Sequence, residues 1–311
     1  MRIDNATDFG RVAVVMGGAG SEREVSLDGG RDVLEALLRR EVNAFAVDGI
    51  AGLLSLISEG KVDRVFNLLH GRGGEDGALQ GALACVGTPV TGSALTGCAI
   101  TMDKVRSKAL WAHSGLQVIR GEELDPSEDP RSCAEALGYP VVVKPVSEGS
   151  SVGVSVAVDE AQLDGAVTDA RRHDRRVMLE SFIDGPELTV GLLKGEPLPA
   201  IEIVPAGRFY DYQAKYQSED TEYVCPCSLS EADELTLRET ARRAFAVVGG
   251  GGWGRVDFMR DTDGTHRLLE ANTTPGMTSH SLLPKAAAVA GINFDQLVWQ
   301  ILETSFDEVP Q

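Results

Sequence analysis

Short apolar runs alternate with glycine-rich turns and amphipathic stretches through the first third of the chain. Residues 11–16 read as a short buried strand that runs into Gly17-Gly18-Ala19-Gly20. Over 25–40, Val33, Leu34, Leu37 and Leu38 recur at helical spacing on one face. Residues 42–47 and 65–69 are further strand candidates. Strands alternating with helices predict a parallel sheet covered by helices, a small α/β domain over 1–103.

The pattern then changes. Residues 103–114 have helical character, and the acidic, proline-containing 124–131 reads as a loop or boundary. A strand at 139–146 is followed by Ser147-Glu148-Gly149-Ser150-Ser151-Val152-Gly153 and a second strand at 154–158. A helix at 161–172 and a strand at 177–182 complete a middle unit over 104–187. The last unit, 188–311, opens with a strand at 188–193. A long polar loop covers 209–221, with a helix at 231–247, strands at 255–259 and 266–271, and helices at 283–290 and 294–302.

Composition narrows the function classes. The 311 residues carry 29 basic and 47 acidic side chains, a net charge of −18. That balance argues against a nucleic-acid or anionic-membrane partner, which needs a basic face, but leaves room for a small anion in a local basic pocket. The first eleven residues lack the apolar core of a secretory leader, and no apolar run approaches the length of a membrane span. The five scattered cysteines read as free thiols, so a cytoplasmic setting is expected. No Gly-x4-Gly-Lys-Ser/Thr motif occurs. A formal Gly-x-Gly-x-x-Gly match at Gly249, Gly251 and Gly254 precedes a strand instead of joining strand to helix.

The strongest chemical signal lies near the C-terminus. Arg255 and Asp257 are two apart, as are Glu270 and Asn272, so on strands each pair shares a face. A four-residue hairpin loop at 262–265 would set Asp257 opposite Glu270 and Arg255 opposite Asn272. Opposed carboxylates repel unless a positive charge lies between them. Two carboxylates and an amide oxygen form a hard oxygen set suited to Mg2+ with phosphates completing its shell. Lys144, ending an apolar strand before the glycine-serine loop, is costly unless paired, and such a loop can approach phosphate closely. Two further segments, 17–24 and 70–77, follow strand ends in an α/β unit, where ligands bind. The aromatic, charged stretch 210–216 is unusual content for an idle loop.

Taken together, these segments resemble the D-alanine–D-alanine ligases of the ATP-grasp superfamily. The matching stretches are Gly17-Gly18 with 21–27, His70-Gly71 through Gln80-Gly81, Met102-Asp103-Lys104, and Val143-Lys144-Pro145 with 148–153. To these are added 210–216, 252–257 and 270–282. The resemblance implies three α/β domains, with ATP held between the central and C-terminal ones. It implies ATP-dependent joining of two D-alanine molecules through an acyl phosphate, serving peptidoglycan precursor synthesis, by a homodimer that uses two Mg2+ ions, for which Mn2+ can substitute. On the same resemblance, Lys104, Lys144 and Lys215 bind ATP phosphates, and Glu180, Phe182, Ile183 and Glu187 lie where adenine and ribose are held. Asp257, Glu270 and Asn272 hold the metals. Glu22 pairs with the first substrate's ammonium, with His70 beside it. Ser281 and the Leu282 amide bind the second carboxylate. Arg255 and the Gly276 amide stabilise the oxyanion, and Glu22, Ser150 and Tyr216 match a hydrogen-bonded network over the site. Tyr216 goes with D-alanine, in preference to D-lactate, as second substrate. The chain departs from the family at Gly20, at Cys227 and in the run Gly249–Gly252, where each extra glycine costs roughly 0.5–1 kcal/mol of order. The lysines and Arg255 are expected to make the ATP site locally positive.

Overall fold

The computed structural model describes residues 2–20, 22–125, 127, 129–204 and 221–307. Lys215 and Tyr216, with the rest of the 210–216 stretch, lie outside the described residues, as does Ser21.

Among the described residues, three sheets organise the fold. In the first, β1 (Val12–Met16) lies between β2 (Ala44–Asp48) and β3 (Arg64–Asn67), with both pairings parallel. Every residue of β1 is buried, so it reads as a continuous apolar run with no alternation. Its two faces nevertheless enter different cores. Val12, Val14 and Met16 pack with Val33 and Leu37 of α1 (Arg23–Arg39), while Ala13 and Val15 pack with Leu53 of α2 (Gly49–Ser58) and Leu79 of α3 (Ala78–Val86). The chain leaves this unit through α4 (Leu95–Met102) and α5 (Lys104–His113). Asp103 caps α5, its side chain accepting from the Arg106 amide at 3.0 Å.

The second sheet is antiparallel and four-stranded, in the order β4 (Gly121–Glu123), β7 (Val177–Ser181), β5 (Val141–Pro145), β6 (Ser155–Ala157). The helices α6 (Pro130–Leu137) and α7 (Glu160–His173) cover one face through Ala134, Leu163, Val167 and Ala170. The acidic stretch expected to be a loop therefore contains the start of a helix. Asp129 accepts from the Arg131 amide and Pro130 occupies the first turn, where its missing donor is harmless.

The third sheet contains β8 (Glu187–Leu193), β9 (Glu196–Pro197), β10 (Ile201–Val204), β11 (Glu222–Val224), β12 (Trp253–Arg260) and β13 (His266–Asn272). Its order is β11-β10-β8-β12-β13, with β9 on β8. One face packs on α8 (Glu231–Val247) and on Trp111 of α5; the other shares the first sheet's core with α9 (Leu282–Val289) and α10 (Phe294–Glu303). The N- and C-terminal parts of the chain thus bury apolar surface against each other. No helix among the described residues is long and apolar enough to cross a membrane.

The glycine run after α8 has a packing cause. A Cβ on Gly250 would sit 2.6 Å from the Phe245 ring, and one on Gly252, at φ +67°, would sit 3.0 Å from the Gly92 Cα. Ser93 stitches the two backbones together: the Gly251 amide donates to its hydroxyl at 2.9 Å, and the hydroxyl lies 3.3 Å from the Gly251 carbonyl. Four residues without side chains let the loop before α4 dock on the turn after α8.

Candidate active site

The hairpin of β12 and β13 carries the acidic set in the expected register where it matters. Arg255 pairs with Asn272 and Asp257 with Glu270. Beyond Asp257 a bulge shifts the pairing, so Arg260, in place of Asp261, faces His266. The loop is five residues long, and the residue it gains is offset by the bulge. Side chains two apart on one strand share a face, so Arg255 reaches Asp257 directly. Its Nε donates to Oδ1 and its Nη2 to Oδ2, each at 2.8 Å. Thr189 Oγ1 donates to Asp257 Oδ1 at 2.6 Å, and Asn272 Nδ2 donates to Oδ2 at 3.0 Å. Asp257 is buried beneath these partners, whereas Glu270 and Asn272 line open cavities.

The first cavity is a cleft between the second and third sheets. Lys104, Lys144, Glu180, Phe182, Ile183, Glu187 and Glu270 line it, together with Ser151 and the apolar side chains of Ile119, Val142, Val154, Met259 and Leu269. All the described residues expected around ATP are therefore brought to one place. The expected positive group is only partly described, since Lys215 lies outside the described residues and Arg255 lines a second cavity. Five carboxylates (Glu148, Glu180, Asp184, Glu187, Glu270) face two lysines in the described lining.

Buried charges in this cleft are paired. Lys144 Nζ lies 2.5 Å from Glu180 Oε2 and Lys108 Nζ 2.8 Å from Oε1. The costly lysine of the apolar strand thus has its partner. Burial raises the Glu180 pKa, but the two ammonium groups outweigh it and hold the carboxyl below its ordinary range. Burial pushes Lys108 down to about 8 despite Glu180, and lowers Lys104 despite Glu270. Lys104 donates to the Glu148 carbonyl at 2.6 Å and stands 3.6 Å from Glu270 Oε2.

The glycine-serine loop between β5 and β6 is held in unusual backbone geometry. Ser150 and Ser151 have φ of +50° and +59°, in the left-handed region that side chains rarely adopt. The Ser150 hydroxyl donates to Glu22 Oε1, linking this loop to the turn ahead of α1.

That contact forms one wall of the second cavity. Glu22, His70, Ser150, Arg255, Gly276, Ser281 and Leu282 line it, along with Glu75, Asn272 and Thr274. Ser281 precedes the first residue of α9, and its Oγ accepts from the Thr278 amide at 3.0 Å. The opening amides of α9 have no partner within the helix, so this end suits an anionic carboxylate. Burial followed by the charge of Glu22 pushes Glu75 up to about 8, though Glu75 Oε2 accepts from the Gly71 amide at 2.7 Å. Burial lowers His70 even against the attraction of Glu22. The two cavities share Glu187, Ile203 and Glu270, so they adjoin at these residues.

Sequence reasoning missed Lys108, Glu75 and Thr274. Lys108 had a signal: it lies four residues after Lys104, on the same face of a helix. Glu75 lies within the glycine-rich 70–77 segment but was not separated from it.

The acidic set fits a hard divalent cation. Its donors are all oxygen, two carboxylates oppose each other across the strands, and the neighbouring cleft has more carboxylates than lysines. In this structure Arg255 supplies the counter-charge of Asp257.

Comparison with known proteins agrees with this architecture. The family model for the D-ala D-ala ligase C-terminus matches residues 112–303. The chain is 49% identical to D-alanine–D-alanine ligase of Methylococcus capsulatus over 98% of this chain and 99% of that one. It is 51% identical to D-alanine–D-alanine ligase B of Xanthomonas campestris over 97% and 96%. The crystal structure of D-alanine–D-alanine ligase from Bacillus anthracis complexed with ATP superposes with a TM-score of 0.83 at 32% identity, covering 95% of this chain and 97% of that one.

Proposed function

The chain belongs to the D-alanine–D-alanine ligase family, and from that premise we propose that it joins two D-alanine molecules at the expense of ATP, releasing ADP and phosphate, for peptidoglycan synthesis. The observation that carries the reading is that a partly apolar cleft with Lys104 and Lys144 in its lining adjoins a second cavity at Glu270. A nucleotide in the first would direct its terminal phosphate at a small amino acid in the second.

In the first step a carboxylate oxygen of one D-alanine attacks the γ-phosphorus and ADP leaves. Two anions must approach, so positive charge is the physical requirement. Lys104 and Lys144 supply it from the cleft floor, and Lys215 is assigned to the same phosphates. Phe182 and Ile183 offer apolar contact for the base, and Glu187 a carboxylate for the ribose hydroxyls. Asp257, Glu270 and Asn272 would hold Mg2+, two ions being the family's usual complement and Mn2+ a substitute. When bound, the metal neutralises phosphate charge.

In the second step the amine of the other D-alanine attacks the acyl carbonyl and phosphate leaves. Arg255 and Gly276 line the same cavity, and the guanidinium and the Gly276 amide are the groups assigned to the developing oxyanion. Glu22, set by Ser150, pairs with the first ammonium, with His70 nearby. Ser281 and the Leu282 amide receive the second carboxylate. On the family resemblance, Tyr216, outside the described residues, is assigned to the Glu22–Ser150 network and to the choice of an amine over a hydroxyl acceptor. The reading divides the chain into domains at 1–103, 104–187 and 188–311 and makes it a cytoplasmic homodimer.

The test is phosphate and ADP release by purified protein with ATP, Mg2+ and D-alanine, with the dipeptide identified by mass. No turnover with D-alanine would refute the proposal. Faster turnover with D-alanine plus D-lactate at neutral pH would reassign the product to a depsipeptide.

A further inference from the structure

Lys108 has no part in the reaction outlined above, yet it is among the most deeply placed charges in the molecule, with its side chain 7% exposed. It stands one turn beyond Lys104 on α5, so both ammonium groups leave the same helix face towards the floor of the cleft. A lysine at that depth is disfavoured unless several partners satisfy it. Its Nζ lies 2.8 Å from Glu180 Oε1 and donates to the Leu268 carbonyl at 3.2 Å. The other Glu180 oxygen meets Lys144 Nζ at 2.5 Å. Glu180 is on β7 of the second sheet, and Leu268 is on β13 of the third, two residues before Glu270. One ammonium group therefore connects both walls of the cleft.

Charge arithmetic shows what this connection does. Lys108, Glu180 and Lys144 together carry +1. Without Lys108, Glu180 would be left with Lys144 as its close cation, and the pair would carry no net charge. Lys104 and Glu270 form a second pair at 3.6 Å that also sums to zero. Among these five groups, the excess positive charge exists because two lysines share one carboxylate.

We propose that Lys108 is a positioning residue for ATP binding: it shares the charge of Glu180 and ties it to the β13 backbone, leaving the Lys144 ammonium able to serve the nucleotide phosphates. The inference rests on the reading of Lys144 as a phosphate ligand.

The experiment measures Michaelis constants for ATP and for D-alanine in Lys108→Met, Glu180→Gln, the double variant and Lys144→Met, at saturating Mg2+. Lys108→Met is expected to raise the ATP constant about tenfold or more while the D-alanine constant moves less than about twofold. In the E180Q background the same Lys108 substitution should change the ATP constant by less than about twofold, because no carboxylate remains to neutralise Lys144. An equal penalty in both backgrounds would overturn the proposal. So would a matching rise in the D-alanine constant, the mark of a general structural loss. If Lys108→Met does not fold, E180Q against the double variant still decides, since the double variant strands no Glu180 carboxylate and Lys144 lacks that partner equally in both proteins. There, a double variant some tenfold worse than E180Q refutes the proposal and an equal one supports it. Failure of the parent reading looks different: Lys144→Met would itself leave the ATP constant unchanged, and the proposal would fall with it.

Discussion

At the scale of single residues, Glu270 and Glu75 show two ways a carboxylate can be held in one site. Glu270 faces Asp257 across the hairpin and has Lys104 at 3.6 Å. Its replacement by Gln keeps the shape and removes one charge from the set read as metal-binding. Turnover is expected to fall on the order of a hundredfold or more, with a raised Mg2+ requirement and a retained thermal unfolding transition. Near-normal activity would remove Glu270 from the metal set. Glu75 is held up to about 8, chiefly by burial and then by the charge of Glu22. An unfolded glutamate gives up its proton near 4.5. The folded chain therefore holds an extra proton between those values. The stabilisation from this group is complete below the unfolded value and is lost as pH rises through about 8. His70 is lowered from 6.5 by burial, so it is neutral above that pH and adds no opposing slope there. Glu75→Gln should thus gain thermal stability relative to the parent as pH rises from about 6.5 to about 8, and the gain should level off above that, in the ligand-free protein. A constant difference would show that the Glu75 charge is not disfavoured.

At the scale of elements, the hairpin shows what the chain's pattern reveals and what it hides. The pairs Arg255/Asp257 and Glu270/Asn272 are legible because strand geometry puts residues two apart on one face. The bulge after Asp257 is not legible, since it and the longer loop shift the register by one residue each in opposite senses. The parallel first sheet follows from its strand–helix alternation. By contrast, α4 (Leu-Thr-Gly-Cys-Ala-Ile-Thr-Met) has no clear apolar stripe to announce it, because its buried positions are the small or polar Gly97, Cys98 and Thr101. Lys108 was missed for the converse reason: a polar residue in a helix reads as exposed until a partner on a remote strand is known. The Gly249–Gly252 run looked like a loss of order and proves to be a close approach of two backbones. Gly250→Ala should therefore destabilise by about 1–3 kcal/mol through overpacking against Phe245. Gly165→Ala, in α7 where a Cβ meets nothing within 4 Å, should be neutral or stabilise by up to about 1 kcal/mol. Denaturant midpoints of the two variants measure both, and equal shifts would mean that the seam is not tightly packed.

At the scale of the whole molecule, the charge of −18 and the composition of the cleft act in the same direction on an anionic nucleotide. Far from the surface, the net charge repels ATP over about one screening length, ~10 Å at 0.1 M salt and ~30 Å at 0.01 M. Inside the cleft, Glu180 lies 2.5 Å from Lys144 and Glu270 3.6 Å from Lys104, where screening is weak, and Glu148, Asp184 and Glu187 line the same cleft. Neither range favours binding until a divalent cation enters with the nucleotide and changes the sign of the local sum. Calorimetric titration should therefore show ATP affinity falling at least about a hundredfold when Mg2+ is removed by chelation, a loss of some 2.7 kcal/mol. The residual metal-free affinity should rise, not fall, as salt is increased from ~0.01 M towards ~0.1 M, because salt relieves repulsion. With Mg2+ present the salt dependence should be much flatter. Metal-free binding that weakens steadily with salt would mean that the lysines dominate the cleft after all, and that the hard oxygen set on β12 and β13 is not what makes it receptive to phosphate.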